Sequence, residues 1–236
     1  MALTNKTPST TVQHVFDNIA DHYDTMNNVI SLGLHNRWRK HVDAMLAIQN
    51  GDRVLDLCCG TGVWTFILSE FAGTNGQVTG LDFSAGMLKI ANQKRLENGY
   101  DNVDFVQGDA QQLPFADATF DEVVIGFGLR NVPDATRVLK EMYRVVKPGG
   151  RVVCLETAKP QKPFVHLGWE LYFGKILPLL GGVIHRYDEY NYLQRSTHKF
   201  VSPEILAALF MQAGFKNVQY ETFCAGAAAA HYGQKL

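Results

Sequence analysis

The sequence predicts an α/β fold: a doubly wound, seven-stranded, mostly parallel sheet with N-terminal helices and a helical insertion late in the chain. Three observations predict it. From Asp52 onward, short apolar segments of strand character alternate with helical segments. Such repetition sets parallel strands side by side with helices on both faces. The first of these segments, Val54-Leu55-Asp56-Leu57, runs into Cys58-Cys59-Gly60-Thr61-Gly62, a tight Gly-x-Gly turn with a helical pattern just after it. Finally, 236 residues with 46% hydrophobic and 19% charged side chains suffice for one large domain with a buried core and exclude wholesale disorder.

In chain order, the first ten residues read as a frayed polar tail. Val12, Val15, Phe16 and Ile19 follow helical spacing, and Trp38, Val42, Met45 and Leu46 share one side of a second helical pattern, with Arg37, Arg39 and Lys40 between or opposite them. The strands are expected at Arg53–Leu57, Gln77–Asp82, Val103–Gln107, Asp121–Gly126, Arg151–Glu156 and Lys216–Tyr220, with a last one from Phe223 to His231. Helical segments separate the first five. One of them, Ala135–Val146, carries Leu139, Met142, Tyr143 and Val146 at helical spacing and stops at Lys147-Pro148-Gly149-Gly150. Ser202-Pro203-Glu204 opens another helix with a hydroxyl cap and a first-turn proline, and Gly214 closes it. The chain thus divides into an N-terminal helical cap (1–50), a ligand-binding core (51–156), an aromatic, glycine-containing insertion (157–200) and a C-terminal helix with strands (201–236). Two readings stand for the insertion: a packing element, or a lid over the crevice that open α/β sheets place at the carboxyl ends of their strands.

Lys plus Arg is 22 and Asp plus Glu is 23, so a dedicated nucleic-acid binder is excluded. Cys58, Cys59, Cys154 and Cys224 have neither metal-ligand nor CxxC spacing, which points to a reduced, cytoplasmic protein without a metal site. The start, MALTNKTPST, has no signal-peptide core. The apolar stretch Leu171 to Ile184 is 14 residues long and holds Lys175, Pro178 and three glycines, against the roughly 20 residues of a membrane span.

The glycine turn carries the chemistry. Glycine lets the backbone approach a ligand, and the following helix offers free N–H groups. A dinucleotide fingerprint demands a third glycine where Thr65 stands, and a P-loop demands Gly-Lys-Ser/Thr, which is absent. A nucleoside without a phosphate chain therefore fits better than NAD or ATP. Asp56 would repel a pyrophosphate but suits an ammonium group. Asp82, 20 residues after Gly62, suits ribose hydroxyls, and Asp109 of Gly108-Asp109-Ala110 suits an adenine amino group. Plainer readings stand beside these: a buried acid bonded to loop amides for Asp56, and a helix cap for Asp82.

These strand tips, in this order and followed by Lys147-Pro148-Gly149-Gly150, resemble those of the Rossmann-like class I S-adenosylmethionine-dependent methyltransferases, over roughly residues 50–156. Cys58 stands where many of them have a further glycine, a small departure. The flanks narrow the resemblance. Tyr23-Asp24-Thr25-Met26-Asn27 with Ser31, Gly33, His35 and Trp38 is similar to the N-terminal signature of the quinone C-methyltransferases, the demethylmenaquinone and 2-methoxy-6-polyprenylbenzoquinol enzymes. Arg144 to Gly150 with Leu155-Glu156 resembles their second signature, with Ala158 at its usual closing serine. Gly126-Phe127-Gly128-Leu129-Arg130-Asn131 resembles their Phe-Gly-x-Arg-Asn turn, and Tyr190-Asn191-Tyr192-Leu193 and the C-terminal Gly226, His231, Gly233 and Lys235 also fit. Gly126 replaces a serine of some relatives, and Val63 a common acid. Cys58-Cys59-Gly60-Thr61 with Trp64 leans toward the menaquinone branch.

The resemblance implies methyl transfer from S-adenosylmethionine, without a metal, to the ring carbon of a prenylated quinol. Demethylmenaquinol is the first acceptor, with a ubiquinone-pathway benzoquinol or another lipophilic molecule as alternatives. From other classes, a nicotinamide oxidoreductase and a cofactor-binding scaffold without turnover stand as rivals, the former opposed by Thr65. Cofactor contacts are expected at Tyr23, Asp56, Gly60, Thr61, Gly62, Asp82, Phe83, Asp109, Ala110 and Gly126, and quinol contacts at Arg130, Asn131, Tyr187, Tyr192 and Arg195. For catalysis Arg130 is expected to stabilise a phenolate, or else to form a structural ion pair. His166 is expected to take the proton, or else to be a surface residue. Phe164, Leu167, Trp169, Leu171, Tyr172 and the apolar residues after them suit transient contact with the inner face of the cell membrane, packing on the sheet, or a homodimer face.

Overall fold

A computed structural model describes residues 9–160, 163–172, 192 and 195–236. The expected quinol contact Tyr187 lies outside the described residues, as do Phe173, Ile176, Leu177 and Leu180 of the aromatic segment. Helices α1 (Ser9–Ile19), α2 (Tyr23–Ser31) and α3 (Leu34–Asp43) precede the sheet. Then come β1 (Arg53–Leu57), α4 (Val63–Ala72), β2 (Gln77–Asp82), α5 (Ala85–Asn98), β3 (Val103–Gln107), β4 (Phe120–Gly126), α6 (Ala135–Val145) and β5 (Val146–Thr157). After α7 (Pro163–Leu171), helix α8 (Pro203–Ala213) leads into β6 (Lys216–Phe223) and β7 (Ala228–Gln234).

The seven strands lie in the order β3-β2-β1-β4-β5-β7-β6. β1 to β5 run parallel, and β7 runs antiparallel between β5 and β6. The strand order reverses direction between β1 and β4, and open α/β sheets bind ligands outside the carboxyl ends of the strands at such a point. On one face Val42 of α3 and Trp64 and Leu68 of α4 pack on Val54, Val78 and Val124. On the other, α6 and α8 cover Leu55, Val123 and Val152 with Val138, Met142 and Phe210. A third cluster joins Val12, Phe16 and Ile19 of α1 and Met26 of α2 to Met87 of α5. Each fully buried large apolar side chain contributes about 1.5–3 kcal/mol.

Helix boundaries follow local signals, some predicted and some found only in the structure. Asp134 caps α6 by accepting from the Thr136 and Arg137 amides, and Gly214, at φ +115, ends α8. Ser202 stands at the N-cap of α8 but makes no capping bond, so the start signal comes from Pro203 and the first-turn acid Glu204. The predicted stop at Lys147-Pro148-Gly149-Gly150 ends α6 at Val145, yet the segment joins β5 instead of forming a free turn. The end of β7 supplies its partners: Gly149 N donates to Lys235 O at 2.7 Å, and Lys235 N donates to Gly150 O at 3.1 Å. The break between the last two strands falls at Cys224–Gly226, where three consecutive residues have positive φ, so Phe223 belongs to β6 and β7 begins at Ala228.

Gly62 is the N-cap of α4 at φ +79. A Cβ there would meet Phe105 Cζ at 2.7 Å and Phe66 Cε2 at 3.0 Å. Gly62→Ala is therefore expected to cost about 1–3 kcal/mol of overpacking on top of the left-handed backbone penalty, read by urea denaturation. Gly99, at φ +70 with nothing within 4 Å, is the control. Gly99→Ala is expected to lose only the backbone part, about 1 kcal/mol, and equal losses at both positions would remove the packing account.

Candidate active site

Among the described residues, three recesses open at the carboxyl edge of the sheet. A cleft runs past Gly60, Asp82, Phe83, Asp109, Ala110 and Gly126. A polar recess holds Asp24, Arg39, Asp56, Thr61 and Val63. An apolar cavity lies under α2, α3 and α7, walled by Ile30, Trp38, Arg130, Trp169 and Tyr172. Tyr23 and Phe127 line all three.

Asp82, buried at the end of β2, accepts from Gly60 N through Oδ2 and from Ser84 N through Oδ1, both at 2.9 Å. Burial pushes its pKa up to about 6 against those bonds. Each carboxylate oxygen keeps a second acceptor site, so hydroxyls of a ribose can still be bound from the cleft. The helix-cap alternative falls to Ser84, which accepts from Met87 N at the start of α5. Asp109 stands exposed at the cleft rim and accepts from Gln111 N at 2.8 Å.

Asp56, one residue before the end of β1, lines the polar recess. Thr65 donates its hydroxyl to Asp56 Oδ2 at 2.7 Å, so the side chain that breaks the dinucleotide fingerprint serves this acid. Burial raises the Asp56 pKa to about 7 despite that bond and the nearby Arg39 guanidinium. Arg37 and Lys40 are exposed, as charges on an outer helix face should be, but Arg39 turns inward. It lies 5.8 Å from the Trp64 ring centre, and its Nε is buried without a hydrogen-bond partner. A carboxyl and a guanidinium thus line one recess, a pair of groups whose charges complement those of an amino-acid zwitterion.

Thr61 donates to Asp24 Oδ1 at 2.6 Å, and Lys94 pairs with the other oxygen of Asp24 at 2.5 Å, which ties the glycine turn to α2 and α5. Among the expected cofactor residues, only Gly62 lines none of the three recesses. It acts through packing on Phe105. Gly126 does line the cleft, and a Cβ there would lie 2.8 Å from Trp64 Cε3. The glycine that replaces a serine of some relatives is thus matched to the indole beside it. Cys58 is less innocent than its size suggests. It adopts φ +53, a region that glycine enters freely and other residues enter at a cost of about 1–2 kcal/mol.

Arg130 follows β4 on a short 3-10 turn, Leu129–Asn131. Its Nη1 donates to Glu156 Oε1 at 2.6 Å and to Phe127 O at 2.5 Å, and its backbone N donates to Glu156 Oε2 at 3.2 Å. Both members of this pair are buried, with side-chain exposures of 8% and 2%. The structural ion pair of the sequence reading forms, and Arg130 also borders the apolar cavity. The bonds brace Phe127, which sits at φ +56, a strained conformation for an aromatic residue. Asn131 donates to the same carbonyl and accepts from the Tyr192 hydroxyl at 3.1 Å.

The structure does not bring all the expected residues together. His166 is absent from the cavity wall, although Val165 and Trp169 beside it are part of it. Its Nε2 faces Glu170 at 3.5 Å. Arg195 is exposed and lines none of the three recesses. His35 and Glu156, which lie within the two signatures, and Arg39 are absent from the expected site residues, yet His35 and Arg39 line the recesses and Glu156 pairs with Arg130. The i, i+4 spacing of His35 and Arg39 beside Trp38, in a helix with little apolar content, was the signal that could have found two of them. Among the described residues no group of three or more His, Cys, Asp and Glu side chains could hold a metal ion.

Residues 4–235 match the ubiE/COQ5 methyltransferase family. The chain belongs to this family. A relative named demethylmenaquinone methyltransferase, from Lactiplantibacillus plantarum, is 52% identical over 95% of each chain. One of the same name from Anoxybacillus flavithermus is 50% identical, again over 95% of each. Among solved structures, an S-adenosylmethionine-dependent methyltransferase from Aquifex aeolicus superposes with a TM-score of 0.64 at 19% identity, covering 84% of this chain and 89% of that one. Haemonchus contortus phosphoethanolamine N-methyltransferase 2, solved with S-adenosylmethionine, gives 0.65 at 16%, covering 93% and 60%. At these identities the likeness shows the fold alone: the Rossmann-like methyltransferase fold, as the strand pattern predicts.

The raised Asp56 pKa yields a prediction with a definite sign. A buried acid titrating near 7, against about 3.9 in the unfolded chain, binds more protons folded than unfolded. Its contribution to stability is therefore full below about pH 4 and is lost as pH rises through about 7. Asp56→Asn keeps an acceptor for Thr65 and removes the buried charge. The ligand-free variant is expected to melt at a higher temperature than the wild type at pH 8, with the gap closing at pH 5. Calorimetry is expected to show at least tenfold weaker S-adenosylhomocysteine binding. A variant destabilised at pH 8 would contradict the burial argument.

Proposed function

We propose that the chain is a C-methyltransferase that moves a methyl group from S-adenosylmethionine to a ring carbon of a prenylated demethylnaphthoquinol, giving menaquinol. The observation that carries this reading is the meeting of a nucleoside cleft, a zwitterion recess and an apolar cavity at Tyr23 and Phe127. The cofactor, when bound, supplies an electrophilic methyl on a cationic sulfur. The chain does the rest. Asp82 and Asp109 hold the adenosyl part, while Asp56 and Arg39 take the amino-acid part. Tyr23, whose phenol burial keeps protonated, and Phe127 exclude water from the junction. Dryness helps because water solvates the charged reactants better than the dispersed charge of the transition state. Trp38, Trp169 and Tyr172 hold the ring and the start of its tail. Arg130, fixed by Glu156, offers N–H groups to a quinol oxygen. The names of the curated relatives support a naphthoquinol over a benzoquinol acceptor.

A prenylated quinol dissolves in the bilayer. No helix among the described residues is long and apolar enough to cross a membrane, but α7 leaves Phe164, Leu167 and Leu171 exposed, at 92%, 70% and 51%, and buries Trp169. These three positions lie close together on one side of the helix. In our reading this stripe rests on the cytoplasmic face of the membrane, where the substrate enters the cavity behind it, rather than packing on the sheet.

Two measurements test the proposal. Labelled S-adenosylmethionine is expected to methylate reduced demethylmenaquinone at least tenfold faster than the prenylated benzoquinol, and inertness toward both would remove the assignment. The double variant Phe164→Ser, Leu167→Ser is expected to lose co-sedimentation with phosphatidylglycerol vesicles. Unchanged sedimentation, or a wild-type homodimer that the variant converts to monomer in light scattering, would assign the stripe elsewhere.

A further inference from the structure

The quinol hydroxyl must lose its proton for the ring carbon to become nucleophilic, and a phenol of pKa ~10 needs a proton acceptor at neutral pH. Neither residue expected from the sequence supplies one. Arg130 is a permanent cation bound to Glu156, and His166 faces Glu170 off the cavity wall. His35 of α3 differs. It lines both the apolar cavity and the polar recess, so it borders the boundary across which a methyl group would pass. Its tautomer follows from its neighbours. The Ser31 hydroxyl donates to Asn27 O at 2.7 Å. A hydroxyl has a single proton, so the 2.5 Å contact between Ser31 Oγ and His35 Nδ1 is a bond donated by the Nδ1–H. In the neutral ring Nε2 then carries no proton and presents its lone pair as an acceptor.

We propose that His35 is the catalytic base, its Nε2 accepting the quinol hydroxyl proton while Ser31 and Asn27 hold the tautomer. The assignment rests on the quinol-methylation reading above. The charged groups that bear on the ring are Arg39, one turn along α3, and Asp24 of α2. Burial and Arg39 hold the imidazole pKa down to about 4 against Asp24, so the ring is neutral at pH 7 and takes the phenol proton in concert with methyl transfer, not in a prior equilibrium. The step balances. The hydroxyl proton moves to Nε2, and the freed electron pair is shared with the ring carbon. That carbon forms the new bond to the methyl group as the carbon–sulfur bond breaks, its electron pair staying on sulfur. The ring carbon then loses its own proton to solvent, and the imidazolium returns its proton to the ring oxygen. One proton is released for each methyl transferred.

His35→Gln tests this. Its amide can keep the bond to Ser31 and offer an oxygen to the quinol, but it takes no proton. At pH 7 kcat is expected to fall at least 100-fold. S-adenosylhomocysteine affinity by calorimetry, and menadione affinity by quenching of Trp38 and Trp169, are expected to stay within threefold of wild type. The residual rate is expected to climb about tenfold per pH unit from 7 to 9 as the quinol ionises by itself, while the wild-type rate stays flat. Turnover within threefold of wild type, or a loss wholly explained by lost menadione binding, overturns the assignment. Should His35→Gln fail to bind S-adenosylhomocysteine, Ser31→Ala decides: about tenfold lower kcat with intact binding supports the tautomer argument, and wild-type kcat overturns it. A wild-type enzyme inert toward both quinols overturns the functional reading, whereas a competent wild type with a fully active variant overturns the base alone.

Discussion

Asp82 holds the site in register. Its carboxylate receives one amide from the glycine turn after β1 and one from the start of α5, so two neighbouring strand ends are locked together at the rim of the cleft. Burying an ionisable acid is costly unless donors meet it, and here the backbone supplies them. Thr61 and Asp24 extend the lock to α2, and through Lys94 to α5. The N-terminal helices are therefore walls of the site and not only a cover for the sheet.

A second brace serves the acceptor side. Arg130 and Glu156 form a buried, hydrogen-bonded pair that grips the Phe127 carbonyl, and Phe127 bears a backbone conformation it would not adopt freely. Breaking a buried pair by removing one partner leaves an uncompensated charge. The motif reads as catalytic, yet much of its chemistry is the holding of one aromatic wall where three recesses meet.

Most of the fold was legible in the sequence because buried parallel strands such as β1 write themselves as apolar runs, and β1, β2 and the edge strand β3 match their expected limits. The boundaries that moved did so for reasons of pairing. Gly149 and Gly150 look like a turn until Lys235, 85 residues later, offers them hydrogen bonds. The acids that line the cleft and the polar recess were legible too, since Asp56, Asp82 and Asp109 lie at or just past strand ends whose spacing is fixed by local structure. The inward-facing residues of α3 were not. Which charged residue of α3 turns inward depends on Asp56 and Trp64, which belong to other elements, and the role of His35 depends on where the Ser31 hydroxyl sends its proton. Nothing in residue type distinguishes Arg39 from Arg37.

Gly126 and Trp64 meet at a distance that leaves no room for a side chain on the glycine. The two positions are thus one choice made in two places. A lineage that carries the indole forfeits a hydroxyl at the end of β4, and one that carries the hydroxyl must first shrink the ring. A stepwise path between the two states, in either direction, therefore passes through glycine in β4 together with a smaller residue in α4.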